Sequence, residues 1–332
     1  MYSFFIGSDV SKDKIDVSFR NLNGCSYLGV YENSIDGFRM MLKELQQHSK
    51  DPVGSWLFCF ENTGPFSKSL FEWLFSNGIP CLEECPIKIK KSLGLKRGKD
   101  DKADSKAICQ YAFEKRDSIK PQRPDKPLIT TLKGYISRRA LLVKTKTSLS
   151  NSVKHNHLSF DKEMVDFIKT QNDTLLNEIE KQIQEIELSI TELLNCQEEV
   201  KINNTLIRSV VGIGPVLAAK LIATTNNFEN FDNARQYACY TGIAPFPNRS
   251  GKVVKRNSIS HHANKEMKAL LSIAVFAAIT HDPDLKTYYK RKVAEGKPKG
   301  VVRNAVKNKM IQRVFSVVNR KSPYVKLMQY AS

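Results

Sequence analysis

This sequence predicts a mixed α/β domain followed by a mainly helical remainder, and three observations carry that expectation. Over residues 1–120, short apolar or alternating runs come first as a group and then take turns with amphipathic stretches. Beyond residue 120, apolar residues recur at steps of three and four among many Lys and Arg. At 212–214 a Gly-Ile-Gly separates two apolar stretches, as in a tight helix–helix turn.

The elements follow in order. Residues 3–8 make a short apolar strand ending on Asp9, and 14–20 alternate apolar and polar in the period of a half-buried strand. A third strand fits 26–32, completing an antiparallel meander. Ser34 is placed to cap an amphipathic helix that runs to about His48. The run Ser55-Trp-Leu-Phe-Cys-Phe60 reads as a strand buried on both faces. It ends at Glu61-Asn-Thr-Gly64, a turn into a helix over 66–76. A short strand at 79–83 and a helix from Pro86 come next, then a helix from Asp101 through Ile108 to about Lys115. Strand-strand-strand-helix-strand-helix-strand-helix is the order of a ribonuclease H-like fold.

Composition bounds the function. The chain has 332 residues, 41% of them hydrophobic, enough for two or three globular domains. Its 52 Lys+Arg against 34 Asp+Glu leave a formal charge of +18, spread over charged helices. The expected partner is therefore a polyanion, nucleic acid first. The N-terminus lacks a basic segment followed by an apolar core, and the longest apolar run, near 270–279, is too short to span a bilayer. No membrane association is expected. Seven Cys at irregular spacings suit free thiols in a reducing cytoplasm. Cys81 and Cys85 alone are spaced as a metal pair, and no second pair or His follows at zinc spacing.

Against this basic background four acids stand out. Asp9 ends the first strand and Glu61 the fourth, so neighbouring strands would bring both to one sheet edge. Asp101 and Asp104 are three apart at a helix start and share one face. Singly, each reads more readily as a turn or cap residue. Jointly they describe an all-oxygen site for divalent cations, Mg2+ by ligand type, roughly 3.5–4 Å apart if two are held. Lys96, Arg97 and Lys99, just upstream of the acidic pair, are expected nucleic-acid contacts.

Downstream, 121–159 reads as a basic helix with an apolar stripe at Leu132, Ile136 and Leu141, fit to lie along phosphates or to present a solvated face. Between 173 and 199, Leu175, Ile179, Ile183, Ile186, Ile190 and Leu193 recur as in a coiled coil or helical hairpin. A second copy of the chain is the expected partner for that seam. Ile207 to Ile222 reads as helix, Gly212-Ile-Gly214 hairpin, and a helix beginning at Pro215. This is similar to the helix-hairpin-helix DNA-binding motif, in which backbone N–H groups hold a phosphate. The stretch from Tyr240 to Arg256 reads as a basic loop in which Ser250 precedes a glycine, flanked by Arg249, Lys252, Lys255 and Arg256. Such a serine is an accessible nucleophile candidate, and the cations would stabilise charge on an attacked phosphate. No Ser/His/Asp spacing supports an acyl-transfer triad.

Taken together, GSDVSKDKIDV, FENTG, KDDKADSKAI, VVGIGPVLAAKLIA and YTGIAPFPNRSGK resemble, in that order, the DEDD transposases of the insertion-sequence one-ten family and the related Piv-type DNA invertases. The resemblance covers nearly the whole chain. It implies a RuvC-like domain whose metal-binding tetrad falls on Asp9, Glu61, Asp101 and Asp104. It also implies a C-terminal transposase domain whose serine, matching Ser250, attacks DNA and becomes joined to it. Many members are guided by a structured bridge RNA that pairs with donor and target DNA, so the resemblance implies an RNA partner as well. The chain departs from the family at His261, His262 and Ala263, where a basic pair and a glycine are common.

The expected organisation is a catalytic domain over 1–120, a basic helix and coiled-coil linker over 121–200, and a transposase domain with the catalytic serine over 201–332. The expected activity is cut-and-rejoin recombination by a dimer or tetramer. Two other activities fit the residues: a RuvC-like nuclease or junction resolvase using water in place of Ser250, and a nucleic-acid-binding protein with an idle acid cluster.

Overall fold

The structure is a computed structural model that describes residues 2–21, 24–93, 100–152, 154, 160–244, 246–250, 253–258 and 263–325. It divides into two compact units, 1–124 and 125–332.

The first unit is built on one five-stranded sheet. Strands β1 (Phe4–Val10), β2 (Lys14–Asn21), β3 (Gly24–Glu32), β4 (Trp56–Glu61) and β5 (Cys81–Glu84) lie in the order β3-β2-β1-β4-β5. The meander β1-β2-β3 is antiparallel, whereas β4 and β5 join β1 in parallel. Parallel neighbours need crossover connections, and the intervening helices supply them, so the two central strands are covered on both faces. Every residue of Trp56–Phe60 is buried as a result.

Each face has its own core. On one side, Phe4, Ile6, Ile15, Val17, Trp56, Phe58 and Phe60 pack under helices α1 (Ile35–His48) and α2 (Pro65–Ser76). Ser34 caps α1 by accepting the Gly37 N–H. On the other, Phe5, Leu57, Cys59 and Leu82 meet α3 (Pro86–Leu93) and α4 (Asp101–Lys115) through Ile89, Ile108, Cys109 and Ala112. Since side chains alternate along a strand, Asp9 and Glu61 fall on this second face, continuing the Phe5 and Leu57-Cys59 rows. The expected ribonuclease H-like order is the one observed.

The second unit is mostly helical: α5 (Pro127–Ser152), α6 (Lys162–Asn195), α7 (Glu198–Arg208), α8 (Pro215–Thr225), α9 (Ala234–Tyr240), α10 (Lys265–His281), α11 (Pro283–Ala294) and α12 (Lys299–Arg320). Leu128, Ile129 and Leu132 of α5 and Ile190 and Leu194 of α6 share one core with α7 to α12. Helix α6 runs along α5 within the chain, bonded by Arg139–Glu187 and Lys146–Glu180. Its seam is therefore largely used in a helical hairpin. Ile183 and Ile190 are buried, while Leu175 and Leu188 remain exposed.

One reading needs correction. The stretch around Ser250, expected as a loop, contains a two-stranded antiparallel hairpin, β6 (Phe246–Ser250) and β7 (Val253–Ser258), with Ser250 opposite Val253. Pro247, Asn248 and the run of cations mask the strand signal, because none of them has β propensity.

Candidate active site

Three strand and helix ends meet where the acids lie. The β1–β4 register pairs Ser8 with Phe60, which sets the next residues, Asp9 and Glu61, side by side. Helix α4 then crosses this face. Asp100 caps it by accepting the Lys102 N–H at 3.2 Å, so Asp101 and Asp104 fall in the first turn, where the helix dipole favours negative charge.

Gly7 makes the crossing possible. A Cβ there would sit 2.1 Å from the Cys109 nitrogen and 2.4 Å from the Ser105 carbonyl oxygen, so α4 lies directly on the backbone of β1. A buried hydrogen bond of 2.7 Å between the Ser18 and Ser105 hydroxyls ties α4 to β2 as well.

The electrostatics record the convergence. Burial, and then Glu61, Asp101, Asp104 and Asp16 in that order, push the Asp9 carboxyl up to about 6. Burial also raises Glu61; Lys90 opposes this and Asp104 adds to it. Carboxylates that raise one another's pKa are costly to ionise together, and a cation bound among them would offset that cost. All four donors are carboxylates, which fits a hard divalent ion. As placed among the described residues, no group of three or more His, Cys, Asp and Glu side chains could hold a metal ion. Asp101 is meanwhile engaged by Lys14, whose Nζ donates to its Oδ2 at 2.8 Å.

Two residues of this site were not singled out from the sequence. Asp16 is buried on β2 directly across from Asp9, accepts a 2.7 Å hydrogen bond from the Tyr27 hydroxyl, and lies 3.2 Å from Lys14 Nζ. Lys14 thus bridges Asp16 and Asp101, and hydrogen bonds to both raise its pKa. The available signal was the two-residue period, which in an antiparallel register sets Lys14, Asp16 and Ser18 on the Asp9 face.

The other expected site residues fall elsewhere. Gly212 has φ +93°, and a Cβ on it would lie 2.8 Å from the Ala274 carbonyl oxygen of α10. That glycine is required by packing. Gly214 begins α8 with open space around it and no side-chain cap, leaving the helix N-terminus accessible. Ser250 and Arg249 close β6, and Lys255 and Arg256 lie on β7. Lys96, Arg97, Lys99, Lys252, His261 and His262 lie outside the described residues.

A ribonuclease H-like sheet with acids gathered at one edge, joined to a basic helical unit, defines a class of nucleic-acid-processing enzymes. Comparison with known proteins narrows the class. Residues 6–159 match a family model described as a transposase, of the DEDD IS110 type, and residues 204–290 match the Transposase IS116/IS110/IS902 family. The chain belongs to the DEDD transposases of the IS110 family, enzymes that cut and rejoin DNA. It is 25% identical over 336 residues to the pilin gene-inverting proteins of Moraxella lacunata and Moraxella bovis, covering 98% of this chain and 99% of each relative. An insertion element IS110 protein of Streptomyces coelicolor is 30% identical over 122 residues, 37% of this chain and 29% of that one. No helix among the described residues is long and apolar enough to cross a membrane.

Proposed function

We propose that this transposase joins DNA strands through Ser250, with Asp9, Glu61, Asp101 and Asp104 as the ligands of two Mg2+ ions. The observation that carries this reading is the mutual crowding of four carboxylates from β1, β4 and α4 on one face of the sheet. Bound Mg2+ would supply positive charge at the attacked phosphate and lower the cost of alkoxide formation. The chain's own residues carry the covalent work. Ser250 Oγ gives up its proton to a nearby base and bonds to phosphorus, while the P–O bond to the leaving deoxyribose oxygen breaks and that oxygen takes up a proton. A hydroxyl from the incoming strand then attacks the phosphoserine diester, restoring a phosphodiester and freeing the serine. Arg249, Lys252, Lys255 and Arg256 surround Ser250 in sequence and offer cations to the extra charge of the transition state.

The +18 charge supports contact with more than one polyanion, donor and target DNA together with a structured guide RNA that sets the site by base pairing. Exposed Leu175 and Leu188 on α6 support assembly into a homo-oligomer. The cytoplasm, where free thiols and DNA coexist, is the compartment that suits the chain.

The test is covalent capture. Wild-type protein with Mg2+ and element-end DNA is expected to yield a protein–DNA adduct, lost in Ser250→Ala and in Asp104→Asn. An adduct that persists in Ser250→Ala refutes the serine; undiminished cutting without an adduct in that variant favours the water-using nuclease. The full-length likeness to gene-inverting proteins favours one further reading, inversion of a DNA segment in place. Inverted repeats around a switchable segment beside the gene would distinguish it from insertion.

A further inference from the structure

Helix α12 carries Lys299, Arg303 and Lys307 at successive steps of four, and no Asp or Glu anywhere along its length. Like charges at that spacing destabilise a helix, so the stripe does not serve helix stability. Its innermost member is Lys307, 8% exposed. Burial lowers its pKa, and the charged groups acting on it, Lys268 from α10 and Arg303 from α12, are both cations that lower it further. Arg303 lies over the Phe276 ring, with 5.4 Å from its guanidinium carbon to the centroid. Among the described residues, none of the three has a carboxylate partner, and Lys307 has no hydrogen-bond acceptor. A lysine with a largely buried side chain and no counter-charge is costly, and two neighbouring cations raise the cost. An anion seated among the three would reverse it.

The location says which anion. One turn of α12 places Asn304 beside Lys307, and its Nδ2 donates 2.7 Å to the Ile243 carbonyl, just ahead of the β6–β7 hairpin. At the far root of the hairpin, the Asn264 N–H bonds the Tyr240 carbonyl at 2.9 Å, and α10, the helix of Lys268, begins there. The cations thus flank the root of the hairpin whose first strand ends in Ser250. We infer that Lys307, Lys268 and Arg303 form a phosphate-binding site that holds the DNA backbone at the base of the β6–β7 hairpin. The inference rests on DNA being the substrate of this family and not on the serine or the metal, so it is tested without either.

Binding of a fluorescein-labelled duplex is measured against salt concentration, in EDTA and in a Ser250→Ala background. Lys307→Met keeps the length of the side chain and removes its charge. It is expected to weaken duplex binding about tenfold and to reduce the log–log salt slope by about one. The same variant should be no less stable than the parent in anion-free buffer, and inorganic phosphate should stabilise the parent more than the variant. An unchanged slope overturns the site, as does a loss confined to an RNA hairpin probe with duplex binding intact. Should Lys307→Met fold poorly, the Lys268→Met/Arg303→Met double variant, altered at half-buried positions, carries the same expectation and the same refutation.

Discussion

Gly7 of β1 lies beneath Cys109 of α4 with so little space that a methyl group on Gly7 would penetrate the Cys109 backbone. Only glycine allows this helix to rest on this strand, and the helix brings two of the four acids. Gly7→Ala should therefore displace α4 and cost about 1–3 kcal/mol of stability in the first unit. Divalent-cation binding and DNA cutting should drop far more than duplex binding if the phosphate contacts proposed in the second unit hold the DNA. Calorimetric Mg2+ titration checks this; wild-type affinity in a folded Gly7→Ala protein contradicts it.

Asp9 is a source of instability in the metal-free protein. Its pKa rises from an ordinary 3.8 to about 6, so the folded chain holds a proton that the unfolded chain releases in that interval. The sign is therefore negative: stability from this group falls as pH climbs from about 4 to about 6 and stays low at neutrality. Allowing for solvent screening of a half-exposed group, Asp9→Asn should stabilise the metal-free protein by about 1 kcal/mol at pH 7. The gain should vanish near pH 4. Thermal melts across that range in EDTA measure it, and a destabilised Asp9→Asn at pH 7 rules it out.

If Asp101 binds a cation, Lys14 competes with it, because its ammonium already donates to Asp101. Removing the ammonium with Lys14→Met leaves the carboxylates with less neutralisation, so the metal-free protein should melt lower. Mg2+ should then raise the melting temperature of Lys14→Met more than that of wild type. Equal increments in the two proteins would mean that Asp101 does not take part in binding the ion.

Gly212 and Gly214 should part company on substitution. At φ +93° and against α10, Gly212→Ala should cost about 1–3 kcal/mol of stability. Gly214→Ala meets nothing and should leave the melting temperature nearly unchanged. Any weakening of duplex binding by Gly214→Ala then reports phosphate contact at the α8 N-terminus.

Helix α6 offers a parallel contrast. Ile190→Asp buries an unpaired charge and should destabilise the second unit by several kcal/mol. Leu188→Lys is exposed and should spare stability; if α6 joins subunits, light scattering should find Leu188→Lys in a smaller assembly than wild type.

The fold was legible in the sequence to the extent that periodicity is local. Trp56–Phe60, apolar throughout, announces a strand buried on both faces, and Ser34 announces the start of α1. Asp9 and Glu61 were visible because each interrupts such a run at its end. Asp16 was not, since an acid in an alternating strand looks the same whether its face meets water or a helix. The β6–β7 hairpin escaped because Pro247, Asn248 and the run of cations dilute the strand signal of Phe246, Val253 and Val254.

By itself, then, the sequence determined which segments become strands and helices, which acids end them, and how much positive charge the chain carries. These follow from side-chain spacing along a few turns or pleats. Only the tertiary structure decided that Asp16 stands across from Asp9, that α4 presses onto Gly7, that Lys14 holds Asp101, and that Lys307 is buried beside two other cations. Register, close approach and burial depend on contacts between residues far apart in the chain, and no local pattern encodes them.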